Sequence, residues 1–395
     1  IPGKVSVSLF LMFGNIDLKV KSLNAFVLSS NFHGGKIHGH IKNTKNIGFI
    51  EIITEDGTKG YSENYLAVYS PDIFKVTVKF LQSKIIGKKI KDINFFNLEN
   101  FIPFIGRNGF IKSILGSIEI ALIDLIGKIL KIPSYKIFSN KTKNIECYYS
   151  GGSVVMSPKE IVKDIEKAIK NGFSSYKMRI GFQSWIKDQE RILYAKKILG
   201  DKKNFIIDAI MGTHKNVWKI NEAIKKIRYL EKFNLMWIEE PLHPDDINGY
   251  KELKKKIKVP IAAGEAYTGN LEYETIINTN SLSYLQLDVT SSGGYSFCKK
   301  ILKFANAKNI RVVPHCWGTD AAISANLLFA STNYLNVPIF EIPSIKLDIS
   351  KYISEDSFEL KGGYIAPTSI NGLGIKISDK VKSKFKYKKV STFSI

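Results

Sequence analysis

Hydrophobic and polar positions follow two different rhythms along the 395 residues. From residue 17 to about 70, short alternating runs suited to half-buried strands are broken by turns. LKVKSLNAFVLSS is followed by GFIEIITEDGTKGYSE, where Asp56-Gly57 predicts a hairpin. From 70 to 140 the period becomes helical. SIEIALIDLIGKILKIPSYKIF puts Ile118, Ala121, Leu122, Leu125 and Ile129 on one face, and Pro133 ends the helix. This half reads as an α+β unit.

The rhythm changes at residue 146. Short, continuously apolar runs now alternate with helices: ECYYS, SYKMR, FIID, LMWIE, IAAGE, YLQLD, RVVPH and IFE. Such runs suit parallel strands buried on both faces. The intervening helices carry their own signals. Ser157 is placed to N-cap, Pro158 to sit at the first helical position, and Gly172 to stop the helix. Between them Ile161, Val162, Ile165, Ala168 and Ile169 form an apolar face. Eight strands joined by helical crossovers predict a closed (β/α)-barrel rather than an open sheet. After Glu341 the pattern fades into turns and short strands, and the chain is expected to return to the N-terminal unit. The expected division is a flexible extension over 1–17, a cap over 18–145, a barrel over 146–355 and a returning tail over 356–395.

Composition narrows the class. With 44% hydrophobic and 24% charged residues the chain is globular. Cys147, Cys298 and Cys316 are far apart, which fits a reducing, cytoplasmic compartment and argues against a disulfide framework. No apolar run reaches the length of a membrane span. The net charge of +22 raises the question of a nucleic-acid or membrane partner. The lysines are scattered over amphipathic segments, the longest run is Lys254 to Lys256, and no nucleic-acid motif appears, so neither partner is expected.

Candidate chemistry gathers at the predicted strand ends. Lys177 with Arg179, Asp208, Glu239, Glu265, Asp288, His315 and Glu341 recur 23 to 31 residues apart. A barrel of ~250 residues in eight units has a repeat of about 30, and barrel active sites are built at the carboxyl ends of strands. Asp208, Glu239 and Glu265 fall on successive strands, where three carboxylates suit a hard divalent cation such as Mg²⁺. Glu240 is expected to support the site, holding a basic group such as Lys177 or capping the strand end. Lys177 and Arg179 alternate on one strand, so both face inward. His315 with Asp288 suits a general base with an orienting acid. Glu341 is expected to hydrogen-bond or polarise the substrate.

Taken together, YKMRIG, IIDA, WIEEPL, PIAAGE, LQLDVTSSGG, VVPHCWGT and the late Glu341 resemble the mandelate racemase-like branch of the enolase superfamily, from about residue 18 to 377. The resemblance implies a (β/α)7β TIM-like barrel with an α+β cap built from the N-terminal region and the C-terminal tail. It implies one Mg²⁺ on Asp208, Glu239 and Glu265, a base dyad of His315 and Asp288, and a carboxylate substrate held by Glu341 and Lys177. It also implies a homo-oligomer. The usual second lysine of the Lys-x-Lys motif is here Arg179, which stays protonated near neutrality, and Ile210 stands where many relatives carry Asn. One clear base favours β-elimination of water from a sugar acid, with a racemase (epimerase) or sugar-lactone cycloisomerase at the same site as the alternative. A basic binding protein that has lost catalysis is the alternative of another class. Two cap loops are expected to contact substrate: 29–40 through His33, and 60–71 through Tyr61.

Overall fold

A computed structural model describes residues 16–32, 43–93, 106 and 108–389. The described residues open with a three-stranded antiparallel sheet, β1 (Val20–Asn31), β2 (Thr44–Thr54) and β3 (Lys59–Asn64). The β2–β3 turn is made at Asp56-Gly57, as the sequence predicts. Gly57 takes φ +86°, and Asp56 Oδ1 accepts from Thr58 N at 3.1 Å. Helices α1 (Leu66–Tyr69), α2 (Pro71–Ile85) and α3 (Phe110–Ile129) follow. The 20-residue α3 begins before the periodic stretch and is buried nearly all round.

Among the described residues eight parallel strands follow: β4 (Ile145–Ser150), β5 (Ser175–Arg179), β6 (Asn204–Asp208), β7 (Trp237–Glu239), β8 (Ile261–Ala263), β9 (Tyr284–Leu285), β10 (Arg311–Val312) and β11 (Phe340–Pro343). Each of β4 to β9 pairs with the next, and β11 pairs with β4, bringing the last strand back to the first. Seven crossover helices connect them: α4 (Pro158–Lys170), α5 (Trp185–Leu199), α6 (Ile220–Leu230), α7 (Ile247–Lys256), α8 (Gly269–Asn278), α9 (Gly294–Ala307) and α10 (Asp320–Thr332). The fold is a (β/α)7β barrel with a separate cap. At α4 the start is a capping box, with Ser157 and Glu160 satisfying each other's backbone donors. Ile161, Ile165 and Ala168 are buried, whereas Ile169, placed on the apolar face from the sequence, is exposed.

Strand alternation sets the lumen. Tyr148, Ile206, Trp237, Ala262, Tyr284, Val313 and Ile339 form one apolar cluster inside the barrel. Trp237 is its hub, 5.4 Å from the Tyr148 ring and 4.8 Å from the Tyr284 ring. Two residues on, a period-2 strand returns to the same face. There stand Ser150, Asp208, Glu239, Gly264, Gln286, His315 and Glu341. The aromatic layer is thus the floor under a polar layer at the carboxyl ends of the strands.

The cap closes over that end. α3 crosses the start of α9 so tightly that a Cβ on Gly116 would lie 2.2 Å from Gly294 N. Asn64 Nδ2 and Ser117 Oγ both donate to the Thr290 carbonyl at 3.0 Å. Glu63 Oε2 accepts from Thr319 N at 3.0 Å and from its hydroxyl. Glu119 accepts from Ser296 N in the first turn of α9 at 3.1 Å. Past the barrel, β12 (Phe358–Lys361) and β13 (Tyr364–Pro367) form a hairpin that pairs with β4 through Ile365 and Ile145. Part of the tail therefore extends the barrel sheet. The chain meets β1 twice: just before α11 (Ser350–Ile353), where Ile349 N donates to Ser30 Oγ at 3.1 Å, and after α12 (Asp379–Lys384), where Ser29 N donates to Phe385 O at 2.8 Å.

Candidate active site

The strand ends bring six carboxylates together, Asp208, Glu239, Glu240, Glu265, Asp288 and Glu341, against Lys177, Arg179 and His315. Asp208 lies beside Arg179 and Glu239 in the strand register. Lys177 stands at the centre. Its Nζ is 2.5 Å from Glu239 Oε1, 2.8 Å from Glu341 Oε1 and 3.6 Å from Asp208 Oδ2. It also lies 5.5 Å from the Tyr148 ring in the floor. Burial pulls its ammonium down, but Glu239, Glu341 and Asp208 outweigh this and hold it well above the usual lysine range. Burial pushes the Glu341 carboxyl up, yet Lys177, His315 and Arg179 bring it down to about 2. Glu341 Oε2 also accepts from Cys316 N at 2.9 Å.

Arg179 is fixed by three contacts. NH1 donates to Gly151 O at 3.0 Å, NH2 donates to Ser150 Oγ at 2.9 Å, and the guanidinium stacks 4.6 Å from the Trp317 ring. Its Nε is 3.6 Å from Asp208 Oδ2. This is a cationic wall, not a base.

Across the lumen, His315 Nδ1 is 3.1 Å from Asp288 Oδ2, and Nε2 points to Glu265 Oε2 at 3.7 Å. Asp288 is held hard: its Oδ1 accepts from Thr290 N at 2.8 Å, Thr290 Oγ1 at 2.7 Å and Asn326 Nδ2 at 2.9 Å. Burial lowers the imidazole's affinity for a proton, but Glu265, Asp288 and Glu341 raise its pKa to about 10. The dyad expected from the sequence is in place, although β9 and β10 end three residues short of Asp288 and His315. Backbone bonds carry the strands on, with His315 N donating to Leu287 O at 2.9 Å.

The three carboxylates expected to hold a metal are neighbours, yet they do not converge as predicted. Among the described residues no three acid, His or Cys side chains stand at metal-ligand spacing. The reason is electrostatic: Lys177 draws Glu239 Oε1 to itself. The donor set nevertheless suits a hard cation. Asp208 Oδ2 has only cations at 3.6 Å, and burial with Glu239 beside it pushes its carboxyl up to about 8. Burial also raises Glu265. The cations that face them, Lys177 and Arg179 at 3.6 Å from Asp208 Oδ2 and His315 at 3.7 Å from Glu265 Oε2, stand beyond direct hydrogen-bond distance, and further positive charge would satisfy these oxygens.

Three other expectations change. Glu240 does not hold Lys177. It follows the end of β7 at φ +39°, its Oε1 is buried without a hydrogen-bond partner, and burial with Glu265 nearby raises it far above the usual range. Tyr61 does not present its hydroxyl to the site, because it is buried and donates to Ile377 O at 3.1 Å in the tail. His33 lies outside the described residues. The sequence reading also passed over Asn326, a polar residue in the apolar run DAAISANLL, and Lys45, a lysine in a strand otherwise buried.

The fold finds its counterpart among known proteins. The family described as enolase C-terminal domain-like matches residues 160–381, more than half of the chain. The chain belongs to the enolase superfamily. Arabinonate dehydratase of Saccharolobus solfataricus is 28% identical over 362 residues, spanning 89% of this chain and 94% of that enzyme. The crystal structure of 3,6-anhydro-D-galactonate cycloisomerase from Zobellia galactanivorans has a TM-score of 0.79 at 25% identity, over 93% of this chain and 100% of that one. That of L-talarate/galactarate dehydratase liganded with Mg and L-glucarate has a TM-score of 0.80 at 24% identity, over 94% and 92% of the two chains. This superfamily member thus stands among dehydratases, which are lyases, and cycloisomerases, which are isomerases. Among its described residues no helix is long and apolar enough to cross a membrane.

Proposed function

We propose that this enolase-superfamily protein is a Mg²⁺-dependent acid-sugar dehydratase. It removes the α-proton of a sugar-acid carboxylate and eliminates water to give a 2-keto-3-deoxy acid. The observation that carries the reading is the asymmetry of the lumen. One side offers His315 oriented by Asp288 at 3.1 Å, and the other offers only the cations Lys177 and Arg179.

His315 Nε2 takes the α-proton while Nδ1–H stays on Asp288. Lys177, held by Glu341 at 2.8 Å, binds the substrate carboxylate, and its ammonium stabilises the enediolate charge. One such preorganised group is worth roughly 3 kcal/mol, by analogy with an oxyanion donor. The imidazolium then returns its proton to the departing β-hydroxyl, which leaves as water, and the enol tautomerises to the 2-keto acid. A racemase needs a second base on the opposite face. Arg179 does not lose its proton near neutrality, and three carboxylates hold Lys177 protonated. Asp208, Glu239 and Glu265 would hold the Mg²⁺, which supplies Lewis-acid stabilisation of the developing charge. A cation held by Glu265 would offset one of the carboxylates that raise the His315 pKa and so favour the neutral imidazole that a base requires.

The test is a panel of mono- and dicarboxylic sugar acids incubated with Mg²⁺ in deuterated water, with a chelator control. A 2-keto product with loss of water, abolished by chelation, is expected. Uptake of α-deuterium without loss of mass identifies a racemase instead. Conversion of a lactone substrate without mass loss identifies a cycloisomerase.

A further inference from the structure

Lys45 is a buried lysine outside the machinery described so far. It lies on β2 of the cap, is 1% exposed, and projects into the seam between cap and barrel. Three rings surround its ammonium. Nζ is 4.9 Å from the Tyr65 centroid, 5.5 Å from that of Trp317 and 5.8 Å from that of Phe32. Among the described residues no carboxylate comes within ion-pair distance of it. Glu63 and Asp288 act on the ammonium from beyond that distance, and their hydrogen bonds go to Thr319 and to Thr290, Asn326 and His315.

A desolvated ammonium costs several kcal/mol, and each ring returns only ~0.5–2. Methionine or leucine would fill the same space without that cost. The position of Lys45 suggests what offsets the cost. Trp317 stacks on Arg179 at 4.6 Å, and Tyr65 meets the His315 ring at 6.1 Å. Lys45 is therefore one ring away from the cationic wall and one ring away from the base, on the cap side. Lys177 lies at the opposite end, against the floor residue Tyr148. A substrate whose reacting carboxylate meets Lys177 and whose α-carbon meets His315 extends its far end toward Lys45.

Resting on the acid-sugar reading above, we propose that Lys45 is a specificity-determining residue. It takes the second carboxylate of a dicarboxylic sugar acid. A monoacid ends there in a hydroxymethyl group, which gives the ammonium no counter-charge. Burial pulls Lys45 down to about 8 against the opposing charges of Glu63 and Asp288, so at neutral pH it stays charged. The protein's charge of +22 attracts a dianion more strongly than a monoanion.

The experiment compares dicarboxylic sugar acids with monoacids of matched stereochemistry, for the wild type and Lys45→Met, in Mg²⁺. It measures both kcat/KM and binding by calorimetry. The wild type is expected to bind its best diacid at least ~10-fold tighter than the matched monoacid. Lys45→Met is expected to weaken diacid binding at least ~10-fold more than monoacid binding, with the loss in KM. Equal losses for both acids, as a purely structural seam residue would give, overturn the proposal, as does a wild type that prefers the monoacid or binds neither. Should Lys45→Met not fold, the wild-type preference alone still decides. Diacid binding that is tight and Lys45-dependent but followed by no water loss removes the dehydratase reading and leaves this one standing.

Discussion

Lys177 and Glu239 form a buried ion pair inside the barrel, Nζ to Oε1 at 2.5 Å, with 1% and 0% of the two side chains exposed. Removing the cation leaves Glu239 and Glu341 facing each other without compensation, and breaking a buried pair on one side costs about 3–5 kcal/mol. Lys177→Met is expected to lose that much stability in chemical denaturation and at least ~100-fold in turnover. Mg²⁺ is expected to raise the melting temperature of the variant more than that of the wild type, since the cation then has no ammonium to compete with at Glu239. Equal shifts in the two proteins would separate Glu239 from the metal site.

His315 is the base in the mechanism proposed, so His315→Asn is expected to lower both dehydration and α-deuterium exchange by roughly 10²- to 10⁴-fold. Asn keeps a polar group against Asp288, and the melting temperature is expected to change little. Dehydration that survives the substitution would remove His315 from its role.

The cap is held by close approach of backbones as well as by hydrogen bonds. Gly116→Ala drives a methyl to within 2.2 Å of Gly294 N, with backbone on both sides that has nowhere to move. Overpacking of this kind typically costs about 1–3 kcal/mol. A loss of stability together with a raised KM is expected, because α3 positions the cap over the strand ends. A variant with wild-type stability would show that the α3–α9 contact yields.

Glu119 gives a pH signature. Burial raises its carboxyl from 4.5 to about 7, opposed by Ser296. The folded state therefore binds this proton more tightly than the unfolded state. Its contribution to stability is complete below pH 4.5 and is lost as pH rises toward 7. In Glu119→Gln the decline between those values is expected to flatten in melting curves taken across that range. An unchanged pH profile would assign the decline to other groups.

What the sequence determined by itself is the barrel and the inventory of its mouth. Continuous apolar runs can be satisfied only by parallel strands buried on both faces. A period of two then forces Asp208, Glu239, His315 and Glu341 onto the face that Ile206, Trp237, Val313 and Ile339 share two residues earlier. Those are local properties of the chain, legible without knowing what lies opposite. Tertiary structure decided which charges meet. Lys177 bridges Glu239 and Glu341 rather than Glu240, which follows the end of β7 at a left-handed φ of +39°. Tyr61 gives its hydroxyl to Ile377, 316 residues away in sequence, and Asn326 reaches Asp288 from a helix 38 residues on. Lys45 acquires its ring cage only when β2 of the cap docks against Trp317 of the barrel. Pairings of this kind depend on contacts between distant segments and on the cost of burying each charge, and neither leaves a periodic mark on the sequence.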